Sequence, residues 1–312
     1  MFGLEYFSFR VIWSPFFLSV VLIIALVYLL LVGPWRHRFE GSTKVSSGKK
    51  AWFLAGLLIY YMTQGGPMNL LGHLIFSVHM LNMALVYLVV PLFILLGIPG
   101  WLLRPALRIQ WAKSLLYSLT NPIITVLLFN ALFSFYHWPS VLDFVMTHFI
   151  IHRLFDAIML IAAFMMWWPI VTPLPETERL SDLQKMGYVF ANGVLLTPAC
   201  GLITFADHTL YSTFSDPNVW ATAMGYCVPD GTPAELLSQF SGGPKFFFIL
   251  SALEDQQLGG VLMKLTQEAV YGTVLAYIFF KWYRKENPKR NEIDPIDEQS
   301  LERVGYAGGS GK

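Results

Sequence analysis

The chain has 312 residues, of which 55% are hydrophobic and 13% are charged, and its mean hydropathy is +0.54. These values exclude an ordinary soluble globule and indicate a polytopic membrane protein that is embedded in a lipid bilayer. The formal net charge of +1 is uninformative about nucleic acid, but no basic stripe lies outside the short connections between the apolar runs, so we expect no nucleic-acid partner.

Seven apolar runs predict membrane-spanning helices. They cover about 11–33, 50–64, 71–97, 116–136, 143–168, 186–208 and 256–282. Pro91 predicts a kink in the third helix. We therefore expect an all-α, polytopic membrane helix bundle with about seven transmembrane helices. It would form a single domain over 1–285 with a long outer loop at about 209–255. A flexible cytoplasmic tail over 286–312 would follow, its last residues resembling an expression remnant.

Lysine and arginine residues are concentrated in every second connection between the predicted spans. The basic connections are 34–50, 98–115, 169–185 and the segment after 280. The connections at 65–70 and 137–142 have neither residue, and 209–255 has only Lys245. Because basic loops remain in the cytoplasm, the N-terminus is predicted to lie outside and the C-terminus inside.

Two pairs of potential metal ligands lie in the apolar runs. His79 and Met83 are four residues apart in the third helix, as are His148 and His152 in the fifth. Residues four apart share a helix face, and polar groups within a membrane are costly and usually functional. At 1.5 Å per residue, His79 and His152 lie about 12 and 14 Å below the starts of their spans. The sequence therefore predicts one metal site that joins both pairs.

The donor types favour copper. A thioether with imidazoles is a soft ligand set that suits Cu(I), and zinc is the second choice because imidazole alone does not exclude it. The second-tier candidates lie near the predicted outer face and are His73, His137, His208 and Asp255. Structural roles are also open, since the histidines could bond to backbone carbonyls, Met83 could be packing, and Asp255 could cap a helix.

Further charged residues lie in the fifth and seventh apolar runs. Asp156 extends the face of His152 by one turn, where it could orient an imidazole or pair with Arg153. Lys264 and Glu268 are four residues apart and are expected to neutralise each other inside the bundle.

No catalytic motif is present. The chain has no HExxH, GxSxG, GxGxxG or Walker sequence, so we do not expect an enzyme. Cys200 and Cys227 have no metal-binding spacing, and their pairing is open.

An ordered set of short motifs runs through the chain. It consists of Ser77-Val-His79-Met80-Leu81, Pro91 with Leu96-Gly97-Ile98-Pro99, His137-Trp-Pro139, His148-x-x-x-His152, Trp167-Trp168-Pro169 and Asp255-Gln256-Gln-Leu-Gly259. In this set the chain resembles the CtaG family of bacterial membrane proteins, assembly factors for caa(3)-type cytochrome c oxidase. The resemblance runs from about Val11 to the cytoplasmic tail.

The resemblance implies a multi-span protein of the bacterial cell membrane that is needed to make active oxidase. It further implies a role in helping copper reach the oxidase, with oxidase subunits and copper donor proteins as partners. Family members often have a second histidine where this chain has Met83.

Two other functions remain open. In a haem-binding redox protein, His79 and His152 on facing helices would ligate one haem, although the paired histidines would crowd the macrocycle. A copper transporter would need polar or sulfur groups through the inner half as well. There the third and fifth helices offer little beyond Met159, Met165 and Met166.

Overall fold

The structure, a computed structural model, describes residues 3–225, 232–247 and 249–287. These residues form helices joined by short connections, and none of them forms a strand, which confirms the all-α class. The α-helices of this part of the chain are α1 (Phe9–Trp13), α2 (Pro15–Val32), α3 (Ser47–Gln64), α4 (Pro67–Leu74), α5 (Phe76–Ala84), α6 (Val90–Gly97), α7 (Gly100–Leu107), α8 (Gln110–Leu119), α9 (Pro122–Tyr136), α10 (Pro139–Met146), α11 (Phe149–Val171), α12 (Asp182–Thr204), α13 (Pro217–Met224), α14 (Pro233–Gln239) and α15 (Ala252–Glu286).

Within the described ranges, four stretches are long and apolar enough to cross a membrane. They are Phe9–Val32, Phe76–Gly97, Phe149–Val171 and Asp182–Thr204. Helices α8 and α9 pass the same test together, although they bend by 65° at their junction. The remaining two predicted spans coincide with α3 and α15, which are less apolar and do not pass the same test. Seven spans and the orientation of the termini therefore stay predictions.

The predicted third helix is broken at one end and distorted in its middle. Ile75, with φ −132° and ψ 121°, separates α4 from α5, so the predicted span 71–97 is not continuous. A π-helical turn over Leu85–Val89 joins α5 to α6. Pro91 lies just beyond this turn, and since proline lacks an N–H, the normal hydrogen-bond ladder cannot continue through it.

The predicted fifth and sixth helices also end at other residues than expected. Thr147 and His148 divide the predicted span 143–168 into α10 and α11, and His148 has an extended backbone with φ −131°. Helix α12 ends at Thr204, so His208 lies in the connection that follows and not inside the predicted span 186–208.

The stretch Phe76–Gly97 is the centre of the bundle. Of the residues in its apolar window, 78% are buried, against 17% for Phe9–Val32, which lies at the periphery. Helix α15 crosses α5 closely, because a Cβ atom at Gly259 would lie 2.8 Å from Cδ1 of Phe76 and 3.0 Å from Cγ of Met80. The glycine thus allows the two helix backbones to approach each other.

The segment predicted as a long loop at 209–255 is largely folded. Its described residues form α13, α14 and two 3₁₀ turns, Ser212–Phe214 and Gly243–Phe246, which we call the cap. Trp220 and Phe240 of the cap share a buried apolar cluster with Leu70 and Leu74 of α4. The ring of Phe7 lies 5.8 Å from that of Phe240, so the N-terminal residues and the cap occupy the same end of the molecule.

Connections with basic residues meet at one end of the bundle. Three ion pairs join these connections to one another or to adjacent helix ends: Arg108 with Glu40, Arg104 with Glu176 at 3.0 Å, and Lys281 with Asp182 at 3.7 Å. The sequence predicts that the segments of all three pairs share the cytoplasmic side, and their mutual contact agrees with that grouping.

Candidate metal centre

A small pocket lies where the end of α3, the α4–α5 junction and α11 meet. Its volume of about 40 Å³ suits an ion or a few water molecules rather than a large organic group. The side chains with nitrogen, oxygen or sulfur atoms that line it include His73, His79, Asn82, Met83, Tyr87, Tyr136, His152, Arg153 and Asp156. Predicted ligands from the third and fifth helices therefore do share a site.

Asp255 fixes the start of the helix that carries His79. Its Oδ2 atom accepts a hydrogen bond from the backbone N–H of Phe76 at 2.8 Å, and its carboxylate lies 3.4 Å from the N–H of Ser77. Asp255 is buried, and these two N–H groups belong to the first turn of α5. The N-terminus of α15 is capped separately by Ser251. Asp255 is thus a helix cap, as one interpretation of the sequence predicted, but it caps a neighbouring helix.

His73 and His152 lie side by side in the pocket. Their ring centroids are 5.6 Å apart. Nδ1 of His73 lies 2.9 Å from the carbonyl oxygen of Asn69, which can only accept, so Nδ1 carries the proton in this contact. Nε2 of His152 lies 3.6 Å from Asp156, whose other oxygen accepts a hydrogen bond from Tyr87 at 3.2 Å. Asp156 therefore faces the imidazole of His152, an arrangement that is compatible with the orienting role, one of the two roles that the sequence leaves open.

His79 faces the same pocket from α5. Its Nε2 atom lies 3.4 Å from the hydroxyl of Tyr136. Met83, one turn further along α5, lines the pocket and is buried. Asn82 donates a hydrogen bond to the carbonyl of Met68 at 2.5 Å and so joins α5 to the start of α4. The pairing of His79 with Met83 on one face therefore matches the expectation from their spacing.

His148 lies outside the pocket. It is exposed, its Nδ1 donates to the carbonyl of Phe144 at 2.7 Å, and its ring lies 4.2 Å from that of Phe144 at a tilt of 33°. The break before α11 is the reason, because His148 precedes the first helical residue and its side chain does not continue the face of His152. The i,i+4 spacing alone could not reveal this break.

The other two second-tier histidines lie beside a different, apolar cavity of about 880 Å³. His137 is buried, and its Nδ1 donates to the carbonyl of Phe133 at 2.8 Å. His208 is exposed and contacts its neighbour Asp207 at 2.5 Å, a hydrogen bond that lowers the pKa of Asp207. Neither histidine lines the pocket that contains His79.

The pocket is not a finished coordination sphere. Among the described residues, no three His, Cys, Asp or Glu side chains already surround one metal position. Cys200 is buried in the core, and Cys227 lies outside the described residues, so their pairing stays open. The chemistry that the pocket does offer is a pair of adjacent imidazoles, a third imidazole nearby and a thioether, a set that suits a soft cation.

Sequence reasoning ranked some pocket residues too low or did not find them. The i,i+4 spacing favours His148 over His73, yet His73 lines the pocket and His148 does not. Tyr136 and Asn82 also line the pocket but are not among the predicted ligands. The signal was available for Asn82, because an amide in an apolar run is costly unless it is bonded.

The fold and the pocket together define an all-helical protein with several helices of membrane-spanning character that surround a histidine-containing polar pocket. Comparison with protein families gives the narrower assignment: the chain belongs to the cytochrome c oxidase caa3 assembly factor family (Caa3_CtaG), whose model matches residues 26–285. The resemblance inferred from the motifs is thereby confirmed. Neither a curated protein nor a solved structure matches the chain.

Proposed function

We propose that this protein supports cytochrome c oxidase assembly by holding copper, as cargo, in the pocket of His73, His79, Met83 and His152. The observation that carries the proposal is the convergence of these donors from three separate segments on a volume of about 40 Å³. Imidazole and thioether donors favour Cu(I), and zinc is the runner-up. The family role implies association with the oxidase, and we propose its subunits and copper donor proteins as partners.

The surrounding residues have roles in this proposal that do not require a direct bond to copper. Asp255 holds the first turn of α5 and thereby the position of His79. Asn69 and Asp156 contact the rings of His73 and His152, and such contacts orient a ligating imidazole. Small movements of these rings would bring their nitrogens around one ion, and the same movements would release it.

The proposed setting is the bacterial cell membrane, crossed seven times with the N-terminus outside. The alternation of basic and uncharged connections supports this topology. The contact of the N-terminal residues with the cap also supports it, since both are predicted to be outside. The pocket would then lie toward the outer face, where copper arrives.

The alternatives fit the pocket less well. A volume of about 40 Å³ does not accommodate a porphyrin between His79 and His152. For a transporter, Met159 and Met166 would have to continue the path, but both are buried in the main apolar core. Visible absorption separates haem from copper, because a Soret band is expected only for haem.

The decisive experiment measures copper and zinc together in the purified full-length protein, followed by Cu(I) affinity in competition with a chelator. We expect His79→Ala and His152→Ala each to weaken Cu(I) binding by about 10–100-fold and to impair oxidase maturation. His148→Ala is the matched control, because it removes an imidazole one turn from His152 but outside the pocket, and its affinity should stay within about twofold. Parental affinity in a His79→Ala/His152→Ala double variant would refute the proposal.

A further inference from the structure

The ion pair of Lys264 and Glu268 lies on the surface of the bundle and not inside it. Nζ of Lys264 is 2.6 Å from Oε1 of Glu268, so the predicted pairing is present. The two side chains are, however, 32% and 60% exposed. Lys264 also donates to Oγ1 of Thr197 at 2.7 Å, which places the pair on the face formed by α12 and α15.

This pair lies deep along the two helices. Helices α12 and α15 contact each other from Gly260, which packs against Thr204, to the ion pair of Lys281 with Asp182. Glu268 is thirteen residues from Lys281, which corresponds to about 20 Å at the rise of an α-helix. It is a further fourteen residues, about 21 Å, from Glu254 in the first turn of α15. In the seven-span topology proposed above, on which this inference rests, Glu268 lies near the middle of the bilayer.

The surface around the pair is apolar. Phe190 and Val194 of α12 are 67% and 53% exposed, and Leu265 of α15 is 61% exposed. Such side chains suit contact with lipid or with another membrane helix. A carboxylate exposed among them is costly in hydrocarbon. In the described part of the chain, Lys264 is its only ion-pair partner.

The same face has the shape that a further helix requires. Gly193, Thr197 and Gly272 line a shallow cavity of about 170 Å³ together with Lys264 and Glu268. A Cβ atom at Gly272 would have no neighbour within 4 Å, so its surface is open. Small residues allow helix backbones to approach closely within a membrane, and polar groups at such interfaces hydrogen-bond across the contact.

We infer that the face of α12 and α15 around Glu268 receives a transmembrane helix of a partner protein. The partner helix presents small residues and, at mid-span, one cationic or hydrogen-bond-donating side chain that reaches the carboxylate of Glu268. Charge complementarity identifies the occupant, because Lys264 contacts only Oε1 of Glu268, the side chain remains 60% exposed, and lipid tails provide no donor for the other oxygen. This inference does not depend on copper, since the ion pair and the metal pocket involve different residues.

The test uses a photoreactive benzoylphenylalanine at Val194 in the full-length protein in its native membrane, with cross-linked peptides identified by mass spectrometry. Leu127 of α9, which is 55% exposed, is the matched control position. We expect a product at Val194, absent at Leu127, that contains a membrane segment of another protein with a mid-span donor. The double substitution Lys264→Glu/Glu268→Lys retains an i,i+4 pair but reverses its polarity, and it should lower the yield at least tenfold.

Several results would overturn the inference. These are an unchanged yield in the reversed-pair variant, a product with a second copy of this chain, a segment without a polar side chain, or no protein product at all. If the reversed pair fails to accumulate, Glu268→Gln provides the second measurement, with an expected loss of about threefold or more, and an unchanged yield there refutes the inference. Cu(I) affinity should be unchanged in both variants, which separates this result from a failure of the copper proposal.

Discussion

Asp255 connects α15 to the start of α5, and its replacement by Asn tests whether that connection controls the metal pocket. The substitution preserves size and leaves one oxygen that can accept from the N–H of Phe76. It introduces an NH₂ group that cannot accept from the N–H of Ser77, and it removes the negative charge at the N-terminus of α5. His79 is three residues from Phe76, so the disturbed turn is the one that holds the ligand.

The expected loss of stability in Asp255→Asn can be estimated from the hydrogen bonds that the carboxylate accepts. A hydrogen bond to a charged group contributes about 1.5–3 kcal/mol, and a carboxylate at a helix N-terminus adds about 0.3–1 kcal/mol. Because Asn retains one acceptor, we expect a loss of about 2 kcal/mol in the free energy of unfolding. That loss corresponds to a decrease of a few degrees in the melting temperature of a protein of this size. Cu(I) affinity should fall by about 10–100-fold, as for other residues that orient a ligand.

The assay compares melting temperature and Cu(I) affinity in the same detergent-purified preparations. Asp143→Asn is the matched control, because the carboxylate of Asp143 also accepts bonds from two successive backbone N–H groups, those of Ser212 and Thr213, but holds the cap. Asp143→Asn should lower the melting temperature by a similar amount and leave Cu(I) affinity within about twofold, because the cap stays closed in most molecules at the assay temperature and His73 is displaced only when the cap detaches. If Asp255→Asn destabilises the protein without any loss of affinity beyond that of the control, the reasoning is wrong.

Three further predictions concern the pocket, the helix crossing and the topology. Met83→Leu should weaken Cu(I) binding by about tenfold in chelator competition, while Met83→His should keep maturation and favour Cu(II) and zinc. Equal Cu(I) affinity in Met83→Leu would make Met83 a packing residue. Gly259→Ala should cost about 1–3 kcal/mol in thermal unfolding because its Cβ meets α5, whereas Gly187→Ala, with open space, should not destabilise. A reporter fused after Lys285 should be cytoplasmic and one within 215–245 outside, and the reverse would overturn the topology.

The helical class and the approximate positions of the long apolar helices followed from the sequence, because apolar runs of bilayer length have few other structures open to them. The sharing of one pocket by His79, Met83 and His152 also followed, since two helices that run in the same direction place residues of equal depth at one level. The motif set led to the correct family because its members come from several helices and occur in a fixed order along the chain.

The breaks at Ile75 and His148 could not be read from periodicity. Both interrupt apolar runs without a glycine or proline at the break. Each break also changes whether a nearby histidine reaches the pocket. The break at Ile75 turns His73 toward His152, while the break at His148 removes that residue from the face it was expected to share. The bond from Phe76 to Asp255 joins residues 179 positions apart, and local sequence patterns contain no information about such a contact.

Helix α4 is only eight residues long, yet it contributes side chains both to the apolar cluster under the cap and to the metal pocket. Leu70 and Leu74 lie in the apolar cluster with the cap, and His73 lines the pocket. A local unfolding event that detaches the cap would therefore also displace His73, and the two regions should open as one cooperative unit. Protection of the α4 amides from hydrogen exchange would then report on both regions at once, and a cation bound in the pocket would slow exchange in a surface segment that it never touches.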